Sequence, residues 1–373
     1  MGRALSFSAR VVRWQRRHGR RDLPWQATRD PYRIWVSEIM LQQTQVAVVV
    51  PYYERFVARF PDVGALAAAP EDDVLALWSG LGYYSRARNL HRAAREVVRS
   101  HRGEFPRDFE TLVELPGVGR STAAAIAAFA AGERRAILDG NVKRVLARHA
   151  GIGGDPVSAA VEARLWRAAE ARLPRSGIAA YTQGMMDLGA TVCVRNHPLC
   201  DACPVATDCV ARREQRIAEL PGRRVRAKRP LRTVAMLVVI WRGEVLLEKR
   251  PSSGIWGGLW SLPEAGVDDD PKRALRKHCG LLASGVEKLT PFEHAFTHFT
   301  LEVRPVRLRL AKAASLAAPS MTWMALSELR GAALPAPVRK LLNQLLRLQE
   351  LVQHREPHRR VGELEQLLLD VDP

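Results

Sequence analysis

The sequence predicts a multi-domain chain, an all-α part followed by an α+β part, and three observations support this prediction. From Ser8 to about Arg216, apolar residues recur at three- and four-residue spacing with Pro or Gly between the runs, as in successive helices. The basic segment 221–230 begins and ends on proline, as an exposed linker does. Beyond it, β-branched apolar runs take over. The expected domains are an all-α domain over 1–220, a basic linker over 221–231, an α+β domain over 232–350, and a tail over 351–373 without an assigned role.

The second part begins with two predicted strands. Residues 233–241 form a β-branched apolar run, and residues 245–248 pair back with it across a short turn as a hairpin. Residues 301–310 alternate in polarity, but Pro305 lacks a backbone N–H, so we expect an edge or bulged strand there. Residues 336–348 show helical spacing. This mixture predicts an α+β domain.

Composition favours a polyanionic partner. The 373 residues include 57 Lys and Arg against 39 Asp and Glu, which gives a formal net charge of +18. Part of this excess lies at helical spacing and is explained by a solvated helix face: Arg86, Arg88, Arg92, Arg95 and Arg99. Charge alone leaves DNA, RNA and the ribosome open. The sequence has no apolar run of about 18 residues and no signal peptide, so we expect a cytoplasmic protein without a membrane partner.

Four cysteines are closely spaced, as Cys193-x6-Cys200-x2-Cys203-x5-Cys209. This spacing places four thiolates on a short loop, near enough to surround one metal centre. Thiolate sites bind both zinc and iron-sulfur clusters, so the spacing leaves both open. Disulfides are disfavoured in a cytosolic chain. Cys279 stands apart, and we interpret it as a packed or free thiol.

A glycine-rich turn, Leu-Pro-Gly-Val-Gly over 115–119, precedes a run of small residues. It resembles a helix-hairpin-helix, in which Gly117 and Gly119 expose backbone N–H groups at a helix N-terminus to a DNA phosphate. An ordinary turn between two helices is the alternative. The small residues that follow favour close packing of the two helices.

Two carboxylates stand in unlike sequence contexts. Glu38 lies in a predicted amphipathic helix over 35–45 among apolar and amide residues, where desolvation would raise its pKa and keep it a proton donor. Asp139 begins a helix in Asp-Gly-Asn and can stay ionised. Such a pair suits cleavage of a glycosidic bond through an oxocarbenium-like state. A solvated glutamate and a plain helix N-cap are the alternatives.

Several segments together resemble one family. Leu-Gln-Gln-Thr-Gln-Val (41–46), Gly-Leu-Gly-Tyr-Tyr-Ser-Arg-Ala-Arg-Asn-Leu (80–90), Leu-Pro-Gly-Val-Gly-Arg-Ser-Thr-Ala (115–123), Ile-Leu-Asp-Gly-Asn-Val-Lys-Arg-Val (137–145) and the cysteine loop are similar to the MutY adenine DNA glycosylases of the helix-hairpin-helix superfamily. The resemblance covers nearly the whole chain. It implies base excision repair in which adenine mispaired with 8-oxoguanine or guanine is removed from double-stranded DNA, which prevents G:C to T:A mutations. It also implies one [4Fe-4S] cluster on the four cysteines and no catalytic divalent metal.

The resemblance assigns roles to individual residues. Glu38 protonates N7 of adenine, and Asp139 stabilises the sugar cation or traps it covalently. The remaining roles are orientation of Asp139 by Asn141, an adenine pocket with Trp25 and Gln183, insertion into the duplex by Gln42 and Tyr83, and DNA-backbone contacts by Gly117, Gly119 and Lys143. Ser121 supports the site and stands where the related endonuclease III enzymes carry a Schiff-base lysine, so we expect monofunctional chemistry. Lys143 is a nearby amine that leaves room for weak lyase activity.

The second domain resembles a Nudix fold, with Gly-Ile-Trp-Gly-Gly-Leu-Trp-Ser-Leu-Pro (254–263) followed by a helix. Ala274, Lys277 and His278 stand where a working Nudix box has glutamates for Mg²⁺, so we expect no pyrophosphate hydrolysis. The resemblance makes this domain the reader of 8-oxoguanine, through Phe296, Thr297 and His298. Thr297 replaces the family's usual serine, keeps the hydroxyl and adds a methyl group.

These inferences predict a monomer that binds double-stranded DNA with 8-oxoguanine:adenine or G:A mispairs, with a sliding clamp or a mismatch-repair protein as a further contact. The main alternative is an endonuclease III-like pyrimidine glycosylase and lyase, against which Ser121 and the second domain argue. A catalytically silent DNA-binding or redox-sensing iron-sulfur protein and a Nudix hydrolase of free nucleotides are the others.

Overall fold

The computed structural model describes residues 5–222, 229–296, 298–311 and 320–353. The chain divides into two compact units, Met1–Lys228 and Arg229–Pro373. No helix within the described residues combines the length and the apolar character that crossing a bilayer requires.

The described residues of the first unit form helices and no strands, which confirms the all-α prediction. The helices are α1 (Phe7–His18), α2 (Pro31–Leu41), α3 (Val46–Arg59), α4 (Val63–Ala68), α5 (Glu71–Trp78), α6 (Ser85–Ser100), α7 (Phe109–Glu114), α8 (Arg120–Ala131), α9 (Gly140–His149), α10 (Ala159–Glu170), α11 (Ile178–Asp187) and α12 (Val210–Arg213). A π-helical turn, Leu188–Val192, extends α11.

Helix α2 lies at the centre of this unit. It starts at Asp30, whose carboxylate accepts a hydrogen bond from the Tyr32 amide, and it buries most of its residues. It packs against α8, in which seven of the twelve residues are buried and small side chains permit close approach. The predicted helix over 35–45 is too long, because the chain leaves the helix after Leu41 and Gln43 adopts a left-handed φ of 59°. Gln42 therefore stands just beyond the helix.

The second unit combines one mixed sheet with helices. Its strands are β1 (Leu231–Trp241), β2 (Glu244–Lys249), β3 (Trp260–Ser261), β4 (Glu264–Ala265), β5 (Ala283–Lys288), β6 (Phe292–Ala295), β7 (Thr300–Leu310) and β8 (Met321–Ala325), and its helices are α13 (Pro271–Cys279) and α14 (Ala336–Gln353). The sheet order is β3-β2-β1-β7-β5, with β4 on β1, β6 on β7 and β8 on β2. The α+β prediction and the β1–β2 hairpin are confirmed.

The prediction of an edge or bulged strand at Pro305 is wrong, because β7 lies inside the sheet and its register with β1 runs from Thr300 to Leu308 without a shift. It pairs in parallel with β1 on one side and with β5 and β6 on the other. The Pro305 carbonyl accepts a hydrogen bond from the Leu289 amide, and Leu289 lies between the end of β5 and the start of β6. The missing N–H points to the same side as this carbonyl, so it falls in the gap between two neighbouring strands.

Candidate active site

Three of the predicted site residues meet at one cavity. Glu38 on α2, Trp25 in the short turn Pro24–Gln26 and Gln183 on α11 line a cavity of ≈ 300 Å³. Trp25 is 7% exposed and packs edge-on against Tyr53 with 5.3 Å between ring centroids. A cavity of this size, at the lower end of small-ligand pockets, has room for one nucleobase.

Glu38 is held in an environment that favours its protonated form. No described group donates a hydrogen bond to its carboxyl, and burial together with the nearby negative charge of Asp139 raises its pKa to about 8. The sequence analysis anticipated this shift from apolar neighbours alone. A carboxyl with this pKa carries a proton at neutral pH and can donate it to a bound base.

Asp139 occupies the N-cap of α9. Its carboxylate accepts hydrogen bonds from the Val142 amide at 2.8 Å and from Asn141 Nδ2 at 3.4 Å. Burial raises the pKa of Asp139, while these hydrogen bonds and the charge of Arg144 oppose that rise. Because Glu38 has no such donors, Asp139 is the first of the two to ionise. Ser121 Oγ accepts from the Leu138 amide at 2.9 Å and so fixes the segment that leads into Asp139.

Arg144 connects the Asp139 cap to the cysteine loop. Its guanidinium donates to Asn141 Oδ1 at 2.8 Å, to the Gly189 carbonyl at 2.6 Å and to the Cys193 carbonyl at 2.7 Å. The absence of a side chain at Gly189 allows Asn141 to pack directly against its backbone, because an added Cβ would lie 2.5 Å from the Cβ of Asn141. The Arg144 side chain therefore positions the amide that contacts Asp139 and the first cysteine of the loop.

The four loop cysteines form no disulfide and line one small cavity, together with Arg148. Burial, with the neighbouring cysteines, raises the pKa of Cys203 to about 11 and also raises that of Cys200. Four thiolates in this cavity need a cationic centre between them. Within the described residues no three Cys, His, Asp or Glu side chains converge tightly enough for a single metal ion.

The glycine-rich turn joins α7 to α8 and leaves the start of α8 accessible. Gly117 has a φ of 79°, and a Cβ there would meet Asn89 at 2.8 Å. Gly119 is the N-cap of α8, supplies no side-chain cap and would have no atom within 4 Å of an added Cβ. Uncapped amides at an open helix N-terminus suit a phosphate. Lys143, predicted to contact the DNA backbone, is paired with Glu162 at 2.6 Å, so a phosphate would have to compete for its ammonium group.

Arg86 links the two residues predicted to enter the duplex. Its guanidinium donates to the Gln42 carbonyl at 2.6 Å and lies over the Tyr83 ring, 5.5 Å from its centroid. Gln42 Nε2 also donates to Thr122 at 3.3 Å, while Tyr83 is 46% exposed with a left-handed φ of 48°. The expectation of a solvated face at Arg86 is wrong, because this side chain is 8% exposed and its planar fork satisfies a cluster of carbonyls. Those further acceptors are the carbonyls of Ile39, Met40, Leu81 and Gly82 and the hydroxyl of Thr44.

In the second unit, the predicted lesion-reading loop carries an aromatic cluster. Phe296 stacks on Phe299 with 4.5 Å between ring centroids and lies edge-on to His294 at 4.7 Å, and Trp256 packs against it at 5.6 Å. His298 is exposed. Thr297 lies outside the described residues.

The helix that would carry a Nudix box is α13. It contains no Asp or Glu, and Ala274, Lys277 and His278 all lie on it. His278 contacts Glu248 on β2 at 3.0 Å. A Mg²⁺ ion prefers several carboxylate ligands, and α13 offers none.

Comparison with known proteins agrees with this arrangement. Residues 36–171 match the family model of the HhH-GPD superfamily of base excision DNA repair proteins, and residues 235–344 match the NUDIX domain model. The adenine DNA glycosylase of Buchnera aphidicola subsp. Acyrthosiphon pisum is 35% identical over 90% of this chain and 96% of its own length. The chain belongs to the adenine DNA glycosylase family. The mouse member is 36% identical over 90% of this chain and 77% of its own length.

A solved structure also resembles the catalytic unit of this family member. A thermostable thymine-DNA glycosylase is 29% identical and superposes with a TM-score of 0.50 over 56% of this chain and 95% of its own. The chain is thus a DNA glycosylase of base excision repair, with a Nudix-like domain after its helical domain.

Sequence reasoning missed three charged residues that organise the adenine glycosylase site. Arg86 and Arg144 donate mainly to backbone carbonyls, and Asp187 is fully buried beneath Gln183. Each of them has partners more than 40 residues away along the chain, for which local spacing gives no signal. The one available clue was that Asp187 stands four residues after Gln183, on the same face of one helix.

Proposed function

We propose that this protein hydrolyses the N-glycosidic bond of adenine mispaired with 8-oxoguanine or guanine in double-stranded DNA. The observation that supports this most directly is the pairing of Glu38, whose pKa burial and Asp139 raise to about 8, with a nucleobase-sized cavity. The family membership supplies adenine as the base. The two carboxylates supply the chemistry of a glycosidic bond.

The proposed reaction begins when the adenine is turned out of the duplex into the cavity beside Trp25 and Gln183. Glu38 gives its proton to N7, so the base leaves as a neutral molecule while positive charge develops on the sugar. Asp139, held by the Val142 and Asn141 hydrogen bonds, stabilises that charge as a carboxylate. Water then adds to C1′ of the sugar cation and gives a proton to the Glu38 carboxylate left by the first step. Ser121 offers no amine for a Schiff base, so the reaction ends at an abasic site.

The turn between α7 and α8 supports a sequence-independent grip on the DNA backbone near the flipped base. Gly119 leaves open space for a phosphate at the N-terminus of α8, and Gly117, with its left-handed φ and close packing on Asn89, forms the turn that leads to it. Gln42 and Tyr83, linked through Arg86, are placed to fill the gap that a flipped base leaves. A few kcal/mol of unstacking must be offset in this way.

We expect the cysteine loop to hold one [4Fe-4S] cluster. Cys193, Cys200, Cys203 and Cys209 line the same cavity, and four thiolates suit an iron-sulfur cluster as well as a zinc ion. Membership of the adenine DNA glycosylase family favours the cluster. The four thiols would hold the cluster, which would fix the loop beside α9.

The second domain is the proposed reader of 8-oxoguanine. The Phe296–Phe299 stack, with His294 and Trp256 around it, gives a rigid base for the loop that contains Thr297 and exposed His298. An aromatic platform can stack on a base, and the hydroxyl and imidazole can read its polar edge.

The test is cleavage of a labelled duplex with one adenine opposite 8-oxoguanine, beside a G:A duplex and an undamaged one. Breaks in the adenine strand that appear only after hot alkali are expected for the wild type. Glu38→Gln should abolish them, whereas Glu54→Gln, a matched change at an exposed position on α3, should not. Breaks without alkali would contradict the monofunctional reaction, and unchanged base release by Glu38→Gln would contradict the role of Glu38.

A further inference from the structure

A fully buried carboxylate that the reaction does not use lies behind Gln183, one of the residues that line the base cavity. Asp187 ends α11 and is 0% exposed. It lies one helical turn after Gln183, which lines the cavity. A buried carboxylate needs several donors, so its partners indicate its role.

Asp187 receives donors from two directions. The Arg20 guanidinium contacts Oδ1 at 2.6–2.7 Å, and the Arg20 amide donates to Oδ2 at 3.0 Å. Gln183 Nε2 donates to Oδ1 at 2.8 Å. An ionised carboxylate only accepts hydrogen bonds, so the Gln183 amide must present its nitrogen to Asp187.

The orientation of the nitrogen fixes the other end of the amide. Gln183 Oε1 accepts no hydrogen bond from a described residue. It is also not fully buried, so part of its surface is accessible. Gln183 as a whole is only 8% exposed and lines the cavity, so its accessible oxygen faces the cavity. The cavity thus presents an acceptor that cannot become a donor without breaking the contact with Asp187.

We propose that Asp187 is a positioning residue for base selection, which locks the Gln183 carbonyl toward the bound base so that the cavity selects a purine with an amino group at C6. An exocyclic amine donates to this oxygen. A keto oxygen at the same position, as in hypoxanthine or guanine, meets a lone pair instead and is rejected. This inference rests on the proposed function and adds the group that discriminates between purines.

The test compares single-turnover excision of adenine, hypoxanthine and unsubstituted purine, each opposite 8-oxoguanine in the same duplex. In Asp187→Asn the new amide can donate to Gln183 Oε1 and allow the Gln183 amide to rotate. The ratio of the adenine rate to the hypoxanthine rate should fall about tenfold, the effect of one buried hydrogen bond. The rate on unsubstituted purine, which has no group at C6, measures any general loss of activity.

Asp187 is buried against Arg20, so a second variant guards against misfolding. Gln183→Met keeps the Asp187–Arg20 pair, removes the acceptor and should lower the same ratio. Equal losses on all three bases, with the ratio unchanged in both variants, would reduce Asp187 to a structural role and overturn the inference. A wild type that releases adenine and hypoxanthine at equal rates would overturn it too, and a wild type that releases no adenine overturns the proposed function itself.

Discussion

Replacement of Glu38 by glutamine should stabilise the protein while it removes activity. The carboxyl has no described hydrogen-bond donor, and burial and the charge of Asp139 raise its pKa from 4.5 to about 8. Below about pH 4.5 both the folded and the unfolded state hold the proton. Between about pH 4.5 and 8 only the unfolded state releases it, so the free energy of unfolding of the wild type falls as pH rises. Above about pH 8 both states are ionised and the loss stops growing.

The size of the effect follows from the shift. Each pKa unit corresponds to about 1.4 kcal/mol, so a pKa of about 8 instead of 4.5 corresponds to at most about 5 kcal/mol. Glu38 keeps some contact with water in the cavity, so we expect about 2–4 kcal/mol. Glutamine does not titrate, and the stability of Glu38→Gln should exceed that of the wild type by this amount near pH 8 and by little near pH 4.5.

Urea unfolding of the wild type and the variant across this pH range measures the difference. Glu54→Gln, on the exposed face of α3, is the matched control and should show no pH-dependent gain. The adenine excision rate of the wild type should fall above about pH 8 as Glu38 loses the proton that it donates. A Glu38→Gln protein whose stability relative to the wild type does not change with pH would refute the assignment of a buried, protonated Glu38.

Three further changes test the supporting structure. Arg86→Met leaves its buried carbonyl acceptors without a donor, so it should lower the free energy of unfolding by about 3 kcal/mol or more. It should also weaken base flipping, measured with a fluorescent adenine analogue. Arg86→Lys should restore only part of the stability and part of the flipping. Arg144→Met removes the guanidinium that ties Asn141 to the Gly189 and Cys193 carbonyls. The single-turnover excision rate, measured by rapid quench, should fall at least tenfold, and the duplex affinity, measured by titration, should change little. Cys203→Ser should cost the protein its bound iron and visible charge-transfer absorbance, measured by metal analysis and spectroscopy, and retention of full iron content would contradict the cluster assignment.

The sequence alone predicted the features that depend on local order. Helical spacing, the start of a helix at Asp139 and the change of period after residue 230 are properties of neighbouring residues, and the structure reproduces them. The environment of Glu38 was also accessible, since apolar neighbours one turn away on α2 desolvate its carboxyl. Periodicity describes such short-range relations directly.

Features set by distant partners could not be predicted in this way. Pro305 argued for an edge strand, but β6 and β5 leave a gap opposite its missing N–H, which only the register of the sheet decides. Arg86 lies on a helix with several exposed arginines, and the carbonyls that bury it come from the last turn of α2 and from the loops after α2 and α5. The contact of Gln183 with Asp187 could be suspected from spacing, whereas Arg20, 167 residues away, could not.

Helix α9 connects the proposed catalytic carboxylate to the cysteine loop. Its N-cap is Asp139, and further along the helix Arg144 and Arg148 donate to the carbonyls of Cys193 and Val194 at 2.7 Å. These hydrogen bonds to backbone oxygens hold the start of the loop. Arg148 also contacts the thiols, as a donor to Cys193 Sγ at 3.5 Å and through its carbonyl, which accepts from Cys209 Sγ at 3.6 Å. A cluster on those thiols would fix the remainder of the loop, and through it α9, in one position relative to α11. Because displacement of a catalytic group by about 1 Å can reduce a rate 100-fold, a rigid α9 matters for Asp139 even though the cluster takes no part in the proton transfer.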